Sequence, residues 1–149
     1  MVSLVGFVAT IIGVRKARHA AEDARKAARE AVSRIKTQLL SDGIEISIRS
    51  FREVDRASRK REWELAADQC DEARDRLARF LNDDRLLEHK LKIIQVSVDF
   101  LGTFLANIDK MSSASPPKAL PTATSKQIHK AITGLGQIQG RLQSMTFEV

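Results

Sequence analysis

A chain of 149 residues that is 43% hydrophobic, 30% charged and 5% aromatic fits one domain with an appendage, not two full cores. Seven glycines and three prolines are too few for a β-rich or disordered chain, and one cysteine excludes an intramolecular disulfide or a multi-cysteine zinc site. The formal net charge of +6 is concentrated, because Arg15 to Lys36 holds eight basic side chains against three acidic ones and the rest is close to neutral. Basicity confined to one segment weakens the inference from whole-chain charge to nucleic acid.

Residues 2–14 carry no charge, and Arg15, Lys16 and Arg18 follow at once. As a helix, residues 1–14 would span about 21 Å. A bilayer core is about 30 Å thick, so the run is short by roughly a third. Snorkelling of Arg15 and Lys16 narrows that gap, and a translation start further upstream would explain it. A cleavable signal peptide needs basic residues before the apolar run and a small-residue cleavage site after it, and neither is present. A buried core helix is the competing reading, but a run that is apolar all round suits lipid. Residues 1–14 are therefore expected to enter a membrane, as a single pass or at its interface, with Arg15, Lys16 and Arg18 at anionic headgroups of the inner leaflet and the bulk of the chain cytoplasmic.

Residues 15–40 read as a basic, alanine-rich helical stalk. Ala17, Ala20, Ala21, Ala24, Ala27, Ala28, Ala31 and Ile35 recur at helical spacing, and alanine needs little tertiary help to stay helical. The bland reading is a solvated stalk. The sharper one is a coiled-coil-like seam through which the seven alanines pair with a second copy, giving a homo-oligomer.

Ser41-Asp42-Gly43 is expected to break the helix. Residues 44–149 then read as an antiparallel bundle of four amphipathic helices, making the whole chain all-α. The first stripe is Ile44, Ile48, Phe51, Val54 and Ala57. A polar patch at 58–61 precedes the second, Trp63, Ala66, Ala67, Cys70, Ala73, Leu77, Phe80 and Leu81. Asn82-Asp83-Asp84 is expected to cap the third helix. There Leu87, Leu91, Ile94, Val98, Leu101, Leu105 and Ile108 alternate spacings of four and three, widened by Leu86, Ile93, Phe100 and Phe104. Residues 111–124, rich in Pro and Ser, form a loop. The last helix carries Ile128, Ile132, Leu135, Ile138, Leu142 and Met145, and Gly134, Gly136 and Gly140 suggest close helix approach.

No catalytic constellation emerges, and neither a cofactor nor a metal is expected. His19, His89 and His129 are far apart, with no two at i, i+4 spacing. Cys70 sits on an apolar stripe and reads as an inert buried thiol. Arg85-Leu-Leu-Glu-His89 misses the spacing and the polar second residue of the helical HEPN nucleases, so that enzyme class is disfavoured. Asp68, Asp71, Glu72 and Asp75 share a face, but Arg74, Arg76 and Arg79 beside them favour a salt-bridged surface over a di-iron site.

Gly6-Phe7-Val8-Ala9-Thr10-Ile11, Arg15-Lys16-Ala17, Ala20-Ala21-Glu22 and Glu62-Trp63-Glu64-Leu65-Ala66 carry a resemblance over residues 5–81. They resemble small bacterial proteins of unknown function with one N-terminal transmembrane helix, an alanine-rich basic stalk and a cytosolic helical hairpin. The resemblance implies anchoring in the bacterial inner membrane and implies no activity. The expected function is a non-enzymatic, membrane-anchored interaction or scaffold protein. Its alternatives are a small membrane-associated toxin or phage-defence effector, or nucleic-acid binding through Arg15–Lys36. The last is disfavoured, because the basic helix lacks aromatics for stacking and residues for base readout.

Overall fold

In the computed structural model the backbone is described for residues 3–83, 86–114 and 118–147, and side chains from residue 13 to 145 within those ranges. Every secondary-structure element among them is a helix: α1 (Ser3–Lys60), α2 (Trp63–Phe80), α3 (Glu88–Ser112) and α4 (Thr122–Phe147). The chain is all-α. It divides into two units, residues 1–37 and 38–149.

The second unit is a bundle of the C-terminal part of α1 with α2, α3 and α4. Ile44, Ile48, Phe51, Val54 and Ala57 are all buried, as their 3–4 spacing requires. Trp63, Ala66, Cys70, Ala73 and Leu77 of α2 complete that side of the core. Residue pairs across the helices give the direction of packing. Gln139 Nε2 donates to Glu45 Oε2 at 3.2 Å, and Ser125 Oγ donates to Asp55 Oδ1 at 3.2 Å. Numbers rise along α1 as they fall along α4, so these two segments run antiparallel. The Cys70 thiol points at the Leu101 carbonyl oxygen, 4.0 Å away, where α2 meets α3. α3 packs more extensively on α2 than on α4.

Four expectations are corrected. Ser41-Asp42-Gly43 does not break the chain, because α1 runs through it without interruption. Ser41 is buried in the core, and a Cβ on Gly43 would collide with the Phe80 ring. Their smallness serves helix contact, not termination. The N-cap of α3 is not the polar run expected at 82–84, of which Asp84 lies outside the described residues. Leu87 holds the N-cap position in extended conformation, with no side-chain hydrogen bond, and it is 59% exposed. The buried row of α3 is accordingly rotated, running through Lys90, Ile94, Ser97, Leu101, Phe104, Ile108 and Met111. Leu91, Val98 and Leu105 of the expected stripe are only half-buried, since α3 must face two neighbours. Lys90 is 6% exposed, its alkyl stem lying within the bundle. Lastly, helix extends further on both sides of the Pro/Ser loop expected at 111–124: α3 ends at Ser112 and α4 begins at Thr122.

The α4 glycines also divide. A Cβ on Gly134 would lie 2.9 Å from Ile93 Cγ2, which is close approach. Gly136 and Gly140 face open space, so helix approach does not explain them. Met145 of the expected stripe is exposed.

The turn between α1 and α2 is closed by two backbone bonds. Arg61 N–H donates to the Ser58 carbonyl at 3.1 Å, and Glu62 N–H to the Ala57 carbonyl at 2.9 Å. This is the Schellman pattern, in which the residue after the C-cap is left-handed and usually glycine. Arg61 takes that place with φ 64°.

Candidate functional site

Between residues 13 and 37, α1 is polar on most of its circumference. Its alanines are held in helical phase by their own propensity. Ala17, Ala20, Ala21, Ala24, Ala27, Ala28 and Ala31 are all exposed. Within that set Ala17, Ala21, Ala24, Ala28, Ala31 and Ile35 alternate steps of four and three, and Val14 extends the row by three. Val14 is 62% exposed, Val32 51% and Ile35 60%. Apolar side chains in a continuous row with no cover are the feature that most distinguishes this segment.

Arg15, Lys16 and Arg18 are also exposed at the start of this segment. Arg18 Nε is 3.5 Å from Glu22 Oε1, and His19 Nδ1 is 3.9 Å from Glu22 Oε2. Both are solvent-exposed contacts between neighbouring turns and restrain the side chains little. Arg15 and Lys16 are available to an external anion. The backbone from Ser3 onward is helical, but the side chains of residues 1–12 lie outside those described, and with them most of the expected membrane segment.

Among the described residues, one helix is long and apolar enough to cross a membrane, Glu88–Ser112. Its apolar residues have another use. Ile94, Leu101, Phe104 and Ile108 are core, while Lys92, Gln95, Asp99, Thr103 and Asn107 are solvent-exposed. Two such faces are the signature of a bundle helix.

The bundle surface presents ion pairs of both signs. Arg74 Nη2 is 2.7 Å from Asp71 and 3.5 Å from Asp75, and Arg76 pairs with Glu72. The acid row on α2 is thus largely neutralised by its own arginines. His19, His89 and His129 are each exposed, and among the described residues no three His, Cys, Asp or Glu side chains are grouped to hold a metal ion. Arg85, the first residue of the nuclease-like spacing, lies outside those described. Burial pushes the Cys70 thiol up to about 12, Arg74 pulls it down and Asp71 adds to the rise. A thiol so protonated is a poor nucleophile.

One polar constellation was not foreseen. Arg59 Nε donates to Asp55 Oδ2 at 2.9 Å and Arg59 Nη2 to Ser125 Oγ at 3.0 Å, while Ser125 donates to Asp55. The i, i+4 pair on α1 was visible in sequence, but its link to a serine 66 residues on from Arg59 was not. This triangle joins α1 to α4. The serine hydroxyl meets the Asp55 carboxylate, which also accepts from Arg59, while His129 Nδ1 lies 2.8 Å from the Ser125 backbone carbonyl and not on the hydroxyl.

No protein-family model, curated protein or solved structure matches the chain.

Proposed function

We propose that the chain is a non-enzymatic, membrane-anchored helical scaffold. It enters the bacterial inner membrane through residues 1–14, contacts anionic headgroups with Arg15, Lys16 and Arg18, and self-associates along Ala17–Ala31. The bundle of residues 38–149 stands on the cytoplasmic side as the interaction module. The observation that carries this reading is the exposed row Val14–Ala17–Ala21–Ala24–Ala28–Ala31–Ile35 directly after a charge-free run.

That row covers about 27 Å from Ala17 to Ile35 at 1.5 Å per residue. Methyl groups bury little area, and at about 25 cal/mol per Å² the seam alone makes a weak dimer. Small residues do allow close backbone approach, and confinement in a bilayer supplies the rest. Repulsion among the basic side chains opposes pairing, so anionic lipid or added salt tightens it.

Expression in bacteria of the full chain and of a version beginning at Arg18 tests the anchor. The full chain is expected in the carbonate-resistant membrane pellet and the shortened one in the soluble fraction. Recovery of both as soluble protein overturns the reading.

A further inference from the structure

The C-terminal half of α3, Lys118, Pro121 and the first turns of α4 border a half-open cleft of about 300 Å³. That is the lower end of the size range of small-molecule sites, roughly 300–1,000 Å³. Its floor is apolar. The Phe100 and Phe104 rings are stacked with centroids 5.9 Å apart and planes 5° from parallel, and Met111 and Pro121 extend the surface. Phe104 and Met111 belong to the buried core, so packing holds this floor in place.

The rim is basic. Lys110 and Lys118 both line the cleft, and no lining side chain is acidic. The Lys118 N–H donates to the Met111 carbonyl at 3.0 Å, which ties the Lys118 backbone to the end of α3 beside Lys110. Among the described residues of the bundle, Arg49, Arg56, Arg59, Arg74 and Arg76 have a carboxylate within 4.0 Å, while Arg52, Arg79, Lys92, Lys126 and Lys130 have none. Among the described residues, neither lysine of the cleft has one. Two lysines and, among the described residues, no acid beside an apolar and partly aromatic lining suit a small apolar anion.

We propose that this cleft binds a small aromatic carboxylate, its ring against the half-buried Phe100 and its anionic group between Lys110 and Lys118. The site is independent of the membrane reading, since every residue in it belongs to the bundle unit. A flat body suits a half-open cleft with stacked rings better than a flexible chain, which would lose rotamer freedom on binding.

The test is titration of the full-length chain in nanodiscs with 2-naphthoate, followed by NMR, with empty nanodiscs as the blank. Saturable binding at one site per chain is expected. Lys110→Gln and Lys118→Gln, both at exposed positions, should each weaken it about two- to fivefold, the range for solvent-screened ion pairs. Thr103→Trp, also exposed and on the cleft wall, should abolish it while the helical circular dichroism stays unchanged. The uncharged 2-naphthylmethanol should bind more weakly than the carboxylate. Absence of saturation at millimolar naphthoate, equal affinity for the alcohol, or binding that all three variants keep would each overturn the proposal.

Discussion

The ring tip of Phe80 on α2 occupies the space where a Cβ at Gly43 on α1 would stand. The helix therefore accepts a glycine in its interior in exchange for seating an aromatic ring against its backbone. Glycine costs a helix about 0.5–1 kcal/mol relative to alanine, while overpacking costs about 1–3 kcal/mol. Gly43→Ala should thus destabilise the protein by about 1 kcal/mol when Phe80 is present. In a Phe80→Ala background the same change should be neutral or stabilising. A double-mutant cycle by urea unfolding reads the coupling, and additive effects would place the ring elsewhere.

Arg61 carries the left-handed conformation that closes α1, at φ 64°. A residue with a Cβ pays about 1–2 kcal/mol there, and the greater freedom of an unfolded glycine returns part of it. Arg61→Gly should stabilise the bundle by about 0.5–1 kcal/mol. Its melting temperature should rise; a fall would mean that the arginine side chain contributes something the turn geometry does not show.

On α4 the three glycines should respond differently to alanine. Gly136→Ala and Gly140→Ala add a methyl group to open space and should each stabilise by about 0.5–1 kcal/mol through helix propensity. Gly134→Ala meets Ile93 Cγ2 at 2.9 Å and should gain nothing or lose stability. Chemical denaturation of the three single variants separates these outcomes. A uniform response would contradict the packing of α4 on α3.

Cys70 should resist thiol reagents at pH 8 in the folded protein and react once denatured. Its folded value of about 12 exceeds the ordinary 9.0. The folded state therefore keeps a proton that the unfolded chain releases. This contribution to stability is complete below pH 9 and is lost as pH rises from about 9 towards 12. Rapid labelling of native protein would show that the thiol is accessible and the α2–α3 contact loose.

What was legible in the sequence was set by how many neighbours each helix faces. The α1 stripe from Ile44 to Ala57 holds residue by residue, and the α2 stripe holds at Trp63, Ala66, Cys70, Ala73 and Leu77 while Ala67, Phe80 and Leu81 are half-buried, because each helix packs a narrow apolar face. α3 misled on phase. Its apolar residues are broad enough to admit several seams, and the true one uses Lys90 and Ser97, which no hydrophobic pattern selects. Ser41 and Gly43 misled in another way: a residue small enough for close packing is also a residue that ends helices, and spacing alone does not separate the two uses. The cleft at Phe100 and Lys118 was out of reach, since its walls come together only in the folded bundle.

The central claim is that Ala17–Ala31 meets a second copy within the membrane-bound protein. Disulfide crosslinking of Ala24→Cys in isolated membranes tests it most directly, with Asp75→Cys on the exposed face of the bundle as the reference position. Cys70 is buried and can stay in place. The account predicts a covalent dimer from Ala24→Cys that disappears when Ala28 is also changed to Leu, and little or none from Asp75→Cys. No dimer at residue 24, equal dimer at residue 75, or a dimer indifferent to Ala28→Leu would contradict it.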